Sequence, residues 1–299
     1  MRRLLALLAL LALSCVPAAP SQPPPPAAGA TGWGEPIQAG RYDAVTVDEA
    51  SGLAASVRNP GVWWLLDDGR TNSVWAISEN GATIGRVQLA GFRSRDAEDL
   101  AVGPCEAGRA CVYVGDIGDN LRRRSDIRIA RFVEPDLSAG VPAGEMPAEV
   151  IALRYPDAPA DAEALLVDAE GTPYIVTKDP DDTRLFMAEG FAGGTLTDLG
   201  PVPVPRPPGL SLDGLIGAVT AADSRPGRVL LRTYGHAVEY IAPDPEAGLA
   251  EFAGWPAHVV PSAPQAQSES IAYASDGAAY ATLSEGDPTI WLVRRDLAS

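Results

Sequence analysis

The sequence predicts an all-β chain folded as a β-propeller, and three observations carry that expectation. Short runs rich in β-branched and aromatic residues, such as GVWWLL, CVYVG, PYIVT, RVLLRT and AAYATL, recur after residue 36. They are punctuated by Gly, Pro and Asp, the pattern of strands joined by turns, and the chain holds 30 Gly and 28 Pro. Beyond the N-terminal apolar run, no long stretch repeats its apolar residues at the 3.6-residue helical period. The third observation is a repeat. ASGLAAS (50–56), AEDLAVG (97–103), AEALLVD (162–168) and SESIAYA (268–274) align, and VTAADS (219–224) joins them more loosely.

Taken in order, the chain opens on MRRLLALLALLALSC, two arginines followed by an apolar run and a small residue before Cys15. The run is too short to span a bilayer and reads as a signal peptide over residues 1–15. Cys15 stands where a lipobox cysteine would be lipidated; cleavage near VPAA is the alternative. Residues 16–32, with SQPPPPAAGATG, read as an extended Pro-rich tether without a core. Folded structure is expected over residues 33–299 as one propeller. A strand near Pro36–Tyr42 is followed by a first repeat with strands near Gly52–Ser56, Val62–Leu66, Val74–Ile77 and Thr83–Leu89.

The aligned polar column of the repeat is Ser51, Glu98, Glu163, Thr220 and Glu269, at steps of about 47, 65, 57 and 49 residues. Four short strands per step suit propeller blades. Five motifs imply five blades, a sixth degenerate blade being the alternative. The second step is the longest, and LSAGVPAGEM (137–146) reads as its loop. The last repeat has room for three strands, so the N-terminal strand is expected to complete it and close the ring, an open edge being a liability.

Each motif is followed by a turn and a second strand ending in LLDDG, VGDIGDN, VTKDP, LRTYG or TLSEG. In a blade hairpin, the start of the first strand and the end of the second meet at the same mouth of the channel. The polar column is therefore expected to share that mouth with Asp67, Asp116, Lys178, Arg232 and Glu285. Cys105 and Cys111, six residues apart, suit a disulfide at the opposite, turn end of their hairpin. Export would favour its oxidation, and Cys15 would then be the unpaired third cysteine.

The motifs SGLA, DAEDLAVGP…VYVGDIGDN, DAEALLVD…PYIVTKDP, LRTYG and SESIAY…LSEG resemble a group of exported, largely uncharacterised bacterial β-propeller proteins. More distantly they are similar to the SdiA-regulated and phytase-esterase-like propellers. The resemblance spans about residues 49–286 and implies the fold. It names no reaction, and it makes channel-bound calcium the expected cofactor.

Glu98, Glu163 and Glu269 are the candidate metal ligands, because carboxylates gathered at one mouth repel unless something neutralises them. Calcium does so with six to eight oxygens. Two other readings stand beside it: an internal ion-pair network with Lys178 and Arg232, and capping of backbone N–H groups in neighbouring blades. Ser51, Asp67, Asp116, Lys178, Arg232 and Glu285 complete the expected ligand-binding set. Lys178 is the only lysine of the chain. The DDGRTN and DIGDN turns lack EF-hand spacing and read as Asx turns. Trp63, Trp64 and Trp75 are expected to pack between blades.

The formal charge of −16 argues against nucleic acid and against a basic contact with lipid. His236 and His258 form no zinc motif, and no G-x-S-x-G or phosphate loop is present. The expectation is an exported, lipid-anchored monomer of the cell envelope, periplasm or exterior, binding a small ligand or divalent metal at an acidic mouth. A metal-dependent hydrolase of a lactone, ester or phosphate, with Asp116 as base, and a scaffold for another envelope protein are the alternatives.

Overall fold

A computed structural model describes residues 32–44, 47, 49–207 and 214–296. The leader, Cys15 and nearly all of the tether lie outside the described residues. Among the described residues no helix is long and apolar enough to cross a membrane.

Strand β1 (Ile37–Arg41) is followed by β2 (Ala50–Ala55), β3 (Val62–Asp67), β4 (Ser73–Ser78) and β5 (Thr83–Ala90), which form blade 1 from inside to outside. Blade 2 contains β6 (Asp99–Pro104), β7 (Ala110–Asp116) and β8 (Ile127–Val133). The chain then crosses back as β9 (Glu145–Pro147), parallel to β5 on the edge of blade 1, before β10 (Glu149–Arg154) completes blade 2. Blade 3 is β11 (Ala162–Val167), β12 (Pro173–Thr177), β13 (Arg184–Met187) and β15 (Thr197–Pro201). The short β14 (Gly194–Thr195) again steps back, to pair with β10. Blade 4 is β16 (Val219–Arg225), β17 (Arg228–Thr233), β18 (Ala237–Ile241) and β19 (Ala257–Val260). Blade 5 is β20 (Ser268–Tyr273), β21 (Ala279–Ser284) and β22 (Asp287–Arg294), completed by antiparallel β1.

The ring thus has five blades closed by the N-terminal strand, as the repeat implied. The stretch expected as a plain loop, 137–146, ends in β9 and covers the edge of its neighbour. Leu137 joins the core between blades 1 and 2.

The inner strands β2, β6, β11, β16 and β20 pack side by side around the channel. The core lies in the seams between blades, because alternate residues of one strand face opposite neighbours. Trp64 packs edge-on to Phe132 at 6.1 Å in the seam of blades 1 and 2. Its neighbour Trp63 packs instead against blade 5. Each such side chain contributes roughly 1.5–3 kcal/mol of burial.

The closure carries its own ionic lock. Glu239 of β18, 1% exposed, accepts Trp33 Nε1–H at 2.9 Å and the Tyr273 hydroxyl at 2.9 Å. Arg228 and Arg295 reach it at 2.8 and 3.3 Å. Arg295 also stacks 4.0 Å from the Trp33 ring. One carboxylate therefore ties both ends of the described chain to blade 4. At the other end of the hairpins, Cys105 and Cys111 are disulfide-bonded, with Cα atoms 5.8 Å apart, across the turn between β6 and β7.

Candidate functional site

The polar column owes its position to a repeated irregularity in the inner strands. Ala162 pairs with Thr177 and Ala164 with Val176, so Glu163 is one residue too many on β11. Thr220 stands the same way on β16 and Glu269 on β20. On β2 the extra residue falls within Ser51–Gly52. In blade 2 Glu98 precedes β6 and donates its N–H to the Gly115 carbonyl at 3.0 Å. A bulge frees one residue from the ladder and re-aims its side chain. The motif therefore repeats a bulge at the channel mouth.

Two members of the column stitch blades together. The Ser51 hydroxyl donates to the Glu98 carbonyl, and the Thr220 hydroxyl to the Ser268 carbonyl at 2.6 Å. A buried carboxylate next to the column does similar work. Asp99, wholly buried, accepts the N–H groups of Leu100, Leu165 and Ala222, joining blades 2, 3 and 4. Asp99 thus caps N–H groups of neighbouring blades, a role that was one of the alternatives for the glutamates.

The three glutamates stand in an excess of negative charge. Blades 1 and 2 are joined by an isolated bridge between Gly69 and Ala97, with Gly69 in the left-handed region at φ +75° that a side chain would strain. The bridge brings Asp68, beside Gly69, to Asp96 and Glu98 on either side of Ala97. One oxygen from each lies within 4.8 Å of the other two. Gly118 makes room for them: a Cβ there would sit 2.6 Å from Asp96 Oδ2 and closer still to Glu98 Oε1.

Charge and burial act together on these groups. Burial, then Glu163, Asp68 and Asp96, push the Glu98 carboxyl well up. Burial and then Asp96 raise Asp68 to about 6. Burial raises Asp96 against the pull of Arg124. Asp68 Oδ1 is buried with no hydrogen-bond partner.

The opposite side of the mouth is a chain of polar contacts. Lys178 pairs with Glu163 Oε1 and lies 5.4 Å from the Tyr234 ring centre. The Tyr234 hydroxyl reaches Glu269 Oε1 at 3.3 Å, and Glu285 is held by the Gln267 amide. Burial pushes Glu163 up to about 7, even with Lys178 opposing. Burial, then Glu285 and Glu163, raise Glu269 to about 8. Burial works against the charged form of Lys178, but Glu163 outweighs it and the net shift is upward. Glu163, 5% exposed, keeps its second oxygen Oε2 buried and unpartnered. Among the described residues, Lys178 pairs with Glu163 within the group Asp68, Asp96, Glu98, Glu163, Glu269 and Glu285, and Arg124 pulls on Asp96 from its pair with Asp116.

The remaining expected residues sit elsewhere. Asp67 Oδ1 accepts the Glu49 N–H at 3.3 Å. Asp116, wholly buried, is paired with Arg124 at 3.0 Å and Arg128 at 2.5 Å. It also accepts the N–H groups of Arg95 and Asp96. It positions the Asp96 backbone, and its charge is already matched. Arg232 is tucked between blades 4 and 5 against Ser268. Neither Asp68 nor Asp96 is among the ligands expected from the sequence. The signal for Asp68 was the doubled acid before a turn glycine in LLDDG.

No family model matches the chain, and no curated protein matches it. Among solved structures it is similar to a streptogramin B lyase (TM-score 0.43, 9% identity, 89% of this chain and 99% of that one). A luciferin-regenerating enzyme follows (TM-score 0.44, 10% identity, 87% and 93%). A putative gluconolactonase is a third (TM-score 0.46, 10% identity, 89% and 93%). These are distant structural neighbours, and the five-bladed assignment rests on this chain's own strand pairing.

Proposed function

We propose that the protein binds a divalent cation at this channel mouth through Asp68, Asp96 and Glu98, and a small ligand over it. One observation carries the reading: three carboxylates from two blades converge where the absence of a side chain at Gly118 lets Asp96 and Glu98 approach, with Asp68 Oδ1 buried and unpartnered. An all-oxygen set of this kind suits calcium, a hard cation that takes carboxylates at flexible geometry. Glu163 Oε2 is the next oxygen available. Bound there, the cation supplies positive charge and open positions for a ligand oxygen. Lys178 is its internal rival, because it already neutralises Glu163.

Export with a lipid on Cys15 is part of the same proposal. Its support is the apolar run before Cys15 and the disulfide that leaves that cysteine without a partner. Labelled fatty acid should enter the wild type and not Cys15→Ser.

The cation reading is tested by melting chelator-treated protein with and without calcium. At a hundredfold excess over Kd the gain is about 2.7 kcal/mol. Glu98→Gln should blunt it, and Lys178→Met should strengthen calcium binding while destabilising the cation-free fold. A melting curve indifferent to calcium and chelator defeats the reading and leaves the Lys178–Glu163 ion pair standing in its place.

A further inference from the structure

Arginines in the interior of this propeller are generally matched to carboxylates. Arg228 and Arg295 share Glu239, Arg124 and Arg128 share Asp116, and Arg131 reaches Glu149 at 2.7 Å. Arg232 departs from that pattern. It is 1% exposed, and among the described residues no carboxylate lies within ion-pair distance of it. Its Nη2 donates to the Ser268 hydroxyl and to the Ala263 carbonyl at 3.4 Å. Nε and Nη1, which together carry three N–H bonds, have no partner.

A buried guanidinium without a counter-charge costs several kcal/mol, and arginine does not escape that cost by losing its proton. The seam around it offers more donors than acceptors. Leu230, two residues before Arg232, belongs to the core cluster between blades 4 and 5, and Ile271 belongs to the same cluster. Thr282 is the cross-strand partner of Ile271 and so faces the same seam. Its hydroxyl is buried and unpartnered. Gln265, between the Ala263 and Ser268 that touch Arg232, has both amide atoms buried and unpartnered.

We propose that Arg232 is the centre of a buried anion site in this seam, taking a small monovalent inorganic anion such as chloride. The anion accepts from Nε–H and Nη1–H and supplies the negative charge the fold omits. The site is separate from the acidic mouth and does not depend on the cation reading. Its anion is structural: it fixes blade 5, the blade that closes the ring, against blade 4.

Bromide is the probe. Crystals grown in sodium bromide should show an anomalous scatterer within hydrogen-bond reach of Arg232 Nε or Nη1. In solution, the melting temperature in sodium bromide or chloride should exceed that in sodium gluconate of equal ionic strength by about 2 °C or more. Arg232→Met should abolish the difference. An ordinary water at that position with no anomalous signal overturns the proposal, as does a halide response that survives in Arg232→Met. If that variant does not fold, the anomalous map of the wild type decides alone.

Discussion

Glu239, on the third strand of blade 4, and Glu98, at the start of the inner strand of blade 2, are both buried carboxylates, and the protein treats them in opposite ways. Glu239 receives two arginines, an indole and a phenol. Glu98 faces Asp68 and Asp96, and Lys178, the cation that acts on it, is engaged by Glu163. The fold therefore has the means to neutralise a buried acid and does not apply them to Glu98. Burying an unmatched charge is costly, and Asp68, Asp96 and Glu98 concentrate such charges in one place, which is the premise of the proposed cation site. Asp116 draws the line more sharply still: it lies in the same hairpin as Glu98 and takes both Arg124 and Arg128.

The comparison can be broken most forcefully at the closure. Glu239→Gln leaves Arg228 without the carboxylate it pairs with in a buried seam. It should cost about 3–5 kcal/mol in equilibrium denaturation. A loss under about 1 kcal/mol would mean that the lock is no tighter than a surface pair.

The same kind of substitution at the mouth should act with the opposite sign. Glu98→Gln in cation-free protein removes one of several repelling carboxylates and should stabilise the fold by about 1 kcal/mol, roughly 2–4 °C in melting temperature. Destabilisation by this variant would place Glu98 with Glu239 as a structural acid.

A smaller effect is expected in the pH profile of the cation-free protein. Asp68, Glu163 and Glu269 have folded-state values raised to about 6, 7 and 8 from ordinary values near 4. The folded state therefore holds protons that the unfolded chain has released. Their stabilising contribution is complete below about pH 4 and is lost as pH rises through about 6 to 8. Thermal melts of chelated protein should decline over that window, and calcium should flatten the decline. A flat profile without calcium would show that Lys178 alone neutralises the mouth.

The fold was legible in the sequence because a blade is a local object: four short strands, turn residues between them and a motif at each start. Closure by the N-terminal strand followed from a last repeat too short to finish itself. The crossings of β9 and β14 were not legible. They are short edge pairings with neighbouring blades, and their residues carry no strong strand pattern. At the mouth, the column Ser51, Glu98, Glu163, Thr220 and Glu269 was visible as a repeat, but its bulge was not, since an extra residue shows only against its partner strand. Asp68 was missed because the Gly69–Ala97 bridge joins two blades through residues outside their regular strands. Asp116 was placed among rim residues because the arginines that engage it lie in the following loop and strand, where spacing alone does not reveal pairing.

The central claim is that the mouth is held short of positive charge for a cation to supply. Calorimetric titration of calcium into chelator-treated protein tests it most directly. The account predicts saturable binding of a single calcium per chain, lost or weakened about 10–100-fold in Glu98→Gln and retained in Glu239→Asp if that variant folds. Absence of binding heat, with a melting temperature that calcium does not move, would contradict it.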